Sequence, residues 1–357
     1  MKTLLLLELP PPIHGMTYIN QIIYESFNKK EGLDIVETNY TDTISEVGVY
    51  SINKLIRNFK IAFFCWKAYL TIRPKIVYST LSATKYGIAR DFLILLPSII
   101  LREKKVLHLH GFTYFKIYNE SKFYNWLLNI IKINSEFIVL GIAHKEIADK
   151  VLNIKSVIVE NCINTTPKNK TRKIENQKTK RLLYISNISK SKGTFDLINA
   201  IQKKKNISLT IAGGILEDKE EFIQLIKRVE NANFIGFADE NKKQELFDTH
   251  HIFCLPSKLE EGSPISIIEA MSQSMPVLAS AKGCIPEMID SCGYLLNQDD
   301  RISDIQLGIE HILENYEELS RNSYTCFINN YSKESFLKKL EKAISSDSYL
   351  KIDTLSK

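Results

Sequence analysis

"EEGSPISIIEA", residues 260–270, sets one carboxylate, Glu261, before a Gly-Ser-Pro turn and a second, Glu269, eight positions later inside an apolar run. Its flanks decide the fold. Upstream, "HIFCLPS" (251–257) is a short apolar, β-branched run. Downstream, Ile267, Ile268 and Met271 give a helix its buried face, and "MPVLAS" (275–280) follows as a second short run. Strand, loop, helix, strand is the repeating unit of a parallel α/β sheet.

The same alternation runs through most of the chain. "TLLLLEL" (3–9), "LDIVET" (33–38), "KIVYST" (75–80), "KVLHLH" (105–110), "FIVLGI" (137–142) and "SVIVEN" (156–161) are strand candidates of a first domain, residues 1–164. "RLLYIS" (181–186), "ISLTIAG" (207–213) and "NFIGF" (233–237) join the two runs above in a second domain, 181–332. Between them, Thr165 to Arg181 holds seven Lys or Arg, a single Glu and no apolar period, so 165–180 reads as a basic linker. Residues 333–357 read as a terminal amphipathic helix, with Phe336, Leu337, Leu340 and Ile344 on its inner stripe, packing back towards the first domain. The expected fold class is therefore α/β: two Rossmann-like, doubly wound parallel-sheet domains facing across a cleft, with ligands at the carboxyl ends of the strands.

Composition narrows the function classes. At 357 residues and 44% hydrophobic content, each domain has material for its own core. The net charge of +6 falls short of a dedicated nucleic-acid binder, and no nucleic-acid partner is expected. Six scattered cysteines form no C-x-x-C pair and read as buried thiols of a reducing compartment. The opening "MKTLLLLELPPP" is broken by Glu8 and three prolines, which suits a first strand better than a signal peptide. The longest apolar stretch, "FLILLPSIIL", has ten residues where a span needs about 20. A cytoplasmic protein without a span is expected.

After "RLLYIS", the loop "NISKSKG" offers Lys190, Lys192 and Gly193 ahead of a helix starting near Thr194. Helix-start amides beside an ammonium suit a phosphate or diphosphate, although solvated lysines and a Thr cap would look the same. Glu261, in the loop, and Glu269, in the second turn of the next helix, could accept from two hydroxyl-bearing parts of one ligand, a sugar and a ribose. "SIIE" (266–269) is equally an S-x-x-E capping box, in which Glu269 would serve only its own helix. In the first domain, His110 ends a strand and precedes Gly111, where a ligand would sit, and Gly15 opens a helix after the first strand. No G-x-G-x-x-G is present, which argues against a nicotinamide dehydrogenase. Ser51 to Lys75 holds six basic residues, no acidic one, and Phe59, Phe63, Phe64, Trp66 and Tyr69. Such a helix fits an anionic membrane surface, or else an ordinary packed helix with a solvated basic face.

Taken together these stretches resemble the family-4 (group 1) retaining glycosyltransferases of GT-B fold. The matching elements are His14-Gly15, "HLHG" at His110, "VIVENCIN", "SNISKSKG", "IAGG", "FIGF", "LPSKLEEGSPISIIEAMSQSMPVLAS" and "GCIPEMI", in the family's order, with Glu261 and Glu269 as its E-x7-E pair. The resemblance implies that Glu269 holds the ribose hydroxyls and Lys192 the diphosphate. It implies that Glu261 holds the transferred sugar, that Gly262, Ser263, Pro264 and Ile265 line the phosphate and sugar site, that His110 faces that sugar, and that Gly15 approaches the distal phosphate. It implies catalysis by positioning, with retention of anomeric configuration and neither metal nor cofactor beyond the nucleotide-sugar donor. The chain departs from the pattern at Asn187, where the family usually has Arg and where Lys190 is a candidate substitute. It departs again at Ser263-Pro264-Ile265 in place of Gly-Phe-Gly, and at Glu160-Asn161-Cys162 in place of Pro-Asn-Gly.

"STLSATKYGIARDFLILL" followed by "HLHGF" is most similar to members that build bacterial surface polysaccharide. The implied activity moves a sugar from a UDP- or GDP-sugar to a polyprenyl-diphosphate-linked glycan, as in O-antigen, capsule or exopolysaccharide synthesis, at the anionic inner face of the plasma membrane. Two alternatives stand beside it: a GT-B enzyme acting on a soluble acceptor or epimerising a nucleotide sugar, and a non-catalytic nucleotide-sugar-binding partner subunit.

Overall fold

The computed structural model describes residues 2–39, 52–167, 171–174 and 178–345, with backbone only at 52–55. Ser51, the Lys54 side chain and linker residues 168–170 and 175–177, which figure in the sequence reading, lie outside the described residues. The chain divides into two compact units, Met1–Asn161 with Lys333–Lys357, and Cys162–Ser332.

The first unit is built on strands β1 (Thr3–Leu7), β2 (Leu33–Glu37), β3 (Ile76–Leu81), β4 (Lys104–Leu109), β5 (Ser135–Val139) and β6 (Ser156–Ile158). They form one sheet in the order β2-β1-β3-β4-β5-β6, with every pairing parallel. The uninterrupted apolar character of "TLLLL" follows from burial on both faces: all five β1 residues are buried. Leu4, Leu6, Val77, Leu107 and Val139 share one core cluster with helix residues such as Ala62, Leu95, Leu128 and Ala148.

The second unit repeats the plan. Strands β7 (Lys180–Ile185), β8 (Ile207–Ala212), β9 (Ala232–Phe234), β10 (Ile252–Leu255), β11 (Val277–Ser280) and β12 (Gly293–Leu296) pair in parallel in the order β12-β11-β10-β7-β8-β9. In each sheet the winding reverses once, between β1 and β3 in the first and between β7 and β10 in the second. A doubly wound sheet opens a crevice at that switch point, outside the carboxyl ends of its strands. The loops after β7 and β10, which carry Lys192 and Glu261, therefore flank the crevice of the second unit.

The helix Lys333–Ser345 belongs to the first unit, burying Phe336, Leu340 and Ile344. Its Lys339 pairs with Glu160 at 2.7 Å and its Glu341 with Lys30 at 2.7 Å. The stretch read as a basic linker is tied down at Arg172. Its guanidinium donates to the carbonyls of Gln273 (2.6 Å), His250 (2.7 Å) and Phe247 (2.6 Å), all in the second unit. The capping-box expectation for the 265–272 helix is corrected: Pro264 is its N-cap and supplies no side-chain cap hydrogen bond. Ser266 falls inside the first turn, so the S-x-x-E box has no cap to serve. No helix among the described residues is long and apolar enough to cross a membrane.

Candidate functional site

The second unit's crevice is built by two loops that approach more closely than side chains allow. Gly193 sits at φ +73°, and a Cβ there would lie 1.9 Å from the Pro256 carbonyl oxygen. Gly283, at φ +57°, would put a Cβ 2.1 Å from the Glu261 carbonyl oxygen. Only glycine takes a left-handed turn against backbone at that distance. Hydrogen bonds fix the rest: Lys258 N–H donates to the Ser191 carbonyl at 2.8 Å, and Cys284 N–H to the Glu261 carbonyl at 2.8 Å. Arg301 braces the floor, with Nη2 donating to the Pro256 carbonyl (2.6 Å) and Ser280 Oγ (3.0 Å), and Nε to Asp196 Oδ2 (3.1 Å).

On this frame the structure brings Lys192 and Glu261 together. Lys192 Nζ lies 2.6 Å from Glu261 Oε1, with the two side chains 20% and 15% exposed. Ser257 Oγ donates to the same oxygen at 2.6 Å. Gly262, Pro264 and Ile265 beside them are half-buried, and Ser263 is buried. A shielded carboxylate with one oxygen held by an ammonium and a hydroxyl keeps its other oxygen for a ligand hydroxyl, and the ammonium is placed for an anion.

Glu269 lies in the helix Ile265–Ser272, and its Oε1 accepts from Lys243 Nζ at 2.6 Å. Burial pushes its carboxyl up, and Lys243 opposes that. Lys243 comes from the helix Glu240–Thr249. Lys190 lies apart from this set. Its exposed ammonium pairs with Glu221 at 2.5 Å, near Asp218 at 3.9 Å, and lies over the Phe195 ring at 5.5 Å. Asn187 is exposed in the loop after β7, which the buried Tyr184 steadies by donating its hydroxyl to the Asn187 carbonyl at 2.7 Å.

In the first unit, Gly15 begins the helix Gly15–Phe27, and Thr17 Oγ1 accepts from His14 N–H at 3.0 Å while donating to the Pro12 carbonyl at 2.7 Å. His110 follows β4 directly. Its ring lies 4.1 Å, centroid to centroid, from that of His108, whose Nδ1 is 2.9 Å from the Tyr78 hydroxyl. His110 Nε2 is buried with no hydrogen-bond partner among the described residues. Burial, then the neighbouring His144 and His14, hold His110 down at about 3, so the ring is neutral. Sequence reasoning missed a buried ion cluster beside this strand end. Arg90 Nη1 donates to Glu8 Oε2 at 2.9 Å and Nη2 to Asp91 Oδ1 at 2.6 Å, while Asp91 Oδ2 accepts from Ser82 N–H at 2.8 Å. The sole sequence hint was the acid Glu8 at the end of an apolar strand. Among the described residues no group of three or more His, Cys, Asp or Glu is placed to hold a metal ion.

Residues 165–326, which span this crevice, match the family model described as glycosyl transferases group 1. The match covers most of the second unit, Cys162–Ser332. An uncharacterized glycosyltransferase of Haemophilus influenzae is 22% identical over 76% of this chain and 77% of its own length. The O-antigen biosynthesis glycosyltransferase WbnH of Escherichia coli is 28% identical over 46% of this chain and 45% of its own, so that match spans about half of either protein. Among solved structures, Anabaena HepE in complex with UDP and glucose superposes with a TM-score of 0.73 at 16% identity, covering 97% of this chain and 100% of that one. At that identity the likeness speaks for the fold, which is the two-domain GT-B arrangement of parallel sheets.

Proposed function

We propose that the protein is a retaining glycosyltransferase that moves a hexose-type sugar from a UDP- or GDP-sugar to a glycan on a polyprenyl diphosphate in bacterial surface-polysaccharide synthesis. The observation that carries this reading is the pair of shielded carboxylates spaced across the loop-to-helix junction, Glu261 held by Lys192 and Glu269 held by Lys243. A nucleoside diphosphate sugar presents two hydroxyl-bearing rings with a dianion between them, and this pattern of acceptors and cation answers it part by part.

In the proposed mechanism Glu269 accepts from the ribose hydroxyls, Glu261 from the hydroxyls of the transferred sugar, and Lys192 stabilises the departing diphosphate as its charge develops. Backbone at Gly262 to Ile265 lines the phosphates, and Gly15 leaves room for the distal one. His110, neutral, acts on the transferred sugar as a hydrogen-bonding group. The acceptor hydroxyl attacks from the face the diphosphate leaves, so configuration is retained, the acceptor proton leaves with the diphosphate, and no metal or cofactor takes part.

Support for a lipid-borne acceptor comes from the helix Ile52–Ile72. It buries Ala62, Cys65 and Tyr69 yet leaves Phe59, Phe63 and Phe64 56%, 64% and 62% exposed, beside Lys60 and Lys67. Aromatics and cations presented together fit an anionic lipid surface, which supports work at the cytoplasmic face of the membrane. WbnH, named for O-antigen biosynthesis, supports the polysaccharide part of the reading, and HepE, solved with UDP and glucose, supports a UDP-sugar donor. The test is transfer from UDP- and GDP-sugars to synthetic polyprenyl-diphosphate glycans, with the anomeric configuration of the product read by NMR. Donor consumed without glycan product, or an inverted linkage, contradicts the proposal.

A further inference from the structure

We propose that Lys243 is a positioning residue for the donor nucleotide: it clamps one oxygen of Glu269 so that the other is presented, ionised, to the ribose hydroxyls. The inference rests on the reading of Glu269 as the ribose ligand and assigns the residue that makes this reading physically workable.

Glu269 is on a helix whose neighbours Ile267, Ile268, Ala270 and Met271 are all buried, and its own side chain is 17% exposed. A carboxylate so placed is costly without a partner, because a charge removed from water must be repaid by pairing and hydrogen bonds. Lys243 supplies the partner at 2.6 Å from a helix 26 residues earlier in sequence, and is itself 19% exposed. The contact uses Oε1 alone. Oε2 accepts no hydrogen bond among the described residues, so one oxygen is fixed and its twin is open. That is the state a vicinal diol needs: an acceptor with free lone pairs whose orientation is already settled.

The clamp is itself anchored. The Lys243 ammonium also meets Glu240 at 2.7 Å, one turn back on its own helix. That helix is started by Asp239, whose side chain accepts from Lys242 N–H at 2.8 Å. Burial alone would lower Lys243, but Glu269 and Glu240 outweigh it and hold the ammonium above its ordinary range. The cation is therefore a permanent feature near neutral pH, and Glu269 is compensated before any ligand arrives. Nothing in this pair resembles a surface ion pair that solvent could replace, since both partners are shielded.

The test compares each ribonucleotide with its 2′,3′-dideoxy counterpart, UDP against dideoxy-UDP and GDP against dideoxy-GDP, by calorimetry on the full chain. The wild-type protein should bind the better ribonucleotide at least roughly 10-fold tighter than its dideoxy form, the usual weight of a charge-assisted hydrogen bond. Glu269→Gln and Lys243→Met should each collapse that ratio to within about 3-fold, and the double variant should go no further, because the two act as one unit. Lys243→Gln, which keeps a donor but not the charge, should fall between, and it carries the test if the methionine variant does not fold. A full ratio retained in Lys243→Met or Lys243→Gln while Glu269→Gln loses it overturns the positioning role and leaves the ribose reading standing. A ratio unchanged by Glu269→Gln, or absent in the wild type, overturns the ribose reading and the clamp with it.

Discussion

Replacing Lys192 with Met keeps the aliphatic stem and removes the ammonium, and two consequences separate cleanly. In the free protein, Lys192 Nζ lies 2.6 Å from Glu261 Oε1, and the Glu261 side chain is 15% exposed. Without the cation, Glu261 retains the Ser257 hydroxyl at 2.6 Å. Leaving a shielded charge half-satisfied costs about 1–3 kcal/mol, a loss that appears as a lower melting temperature of the unliganded protein. In the transition state the missing ammonium faces the departing diphosphate. One preorganised donor aimed at developing charge is worth about 3–4 kcal/mol, or about two to three orders of magnitude in kcat. KM for the donor should change much less than kcat, because the charge that Lys192 meets is greatest as the bond breaks. The assay is initial-rate sugar transfer at saturating acceptor, with thermal unfolding run in parallel. A folded Lys192→Met protein with unchanged kcat would refute the diphosphate role and the reasoning that led to it.

His110→Ala should lower turnover by about two to three orders of magnitude. Because His110 is held down at about 3, the folded chain refuses a proton that the unfolded chain takes up near pH 6.5. Its stabilising contribution is thus full above about pH 6.5 and is lost as pH falls below it, which thermal unfolding at neutral and mildly acid pH will read. Gly283→Ala should cost about 1–3 kcal/mol and depress turnover together, since a Cβ 2.1 Å from the Glu261 carbonyl oxygen must displace that loop. A stable, fully active alanine variant would show that the loop does not set the position of Glu261. Lys60→Gln with Lys67→Gln should weaken binding to anionic liposomes by about 2 kcal/mol, roughly 30-fold, and the wild-type binding should fall with salt. Co-sedimentation unaffected by either change would return the Ile52–Ile72 helix to ordinary packing.

The fold was legible because buried parallel strands write themselves as unbroken apolar runs. "TLLLL", "IFCL" and "VLAS" lie in β1, β10 and β11, all fully buried. The strand β12, "GYLL", escaped notice because it is four residues long and mostly half-buried, so its pattern resembles a loop with two leucines. Within the site, the positions of Glu261 and Glu269 relative to their loop and helix could be read from spacing, but their partners could not. Lys243 is 26 residues from Glu269 and lies on a helix that is polar apart from the buried Leu246 and Phe247, and Arg301 reaches Pro256 from 45 residues away. Such pairs are made by tertiary packing between elements remote in sequence, and no local period records that. The capping-box reading failed for a local reason: Pro264, with no N–H to offer and an extended backbone, took the cap position and moved Ser266 into the first turn. Lys190 shows the opposite case, a lysine in the expected loop whose charge is engaged by Glu221.

The most direct test of the central claim is calorimetric titration of the purified chain with UDP, GDP, ADP and their sugar derivatives, with Glu269→Gln alongside. Saturable binding of one base is expected, with a dissociation constant in the micromolar range, weakened about 10-fold or more by the mutation while the unliganded melting temperature stays close to that of the wild type. No saturable binding of any nucleotide at millimolar concentration, or equal affinity in the mutant, would contradict it.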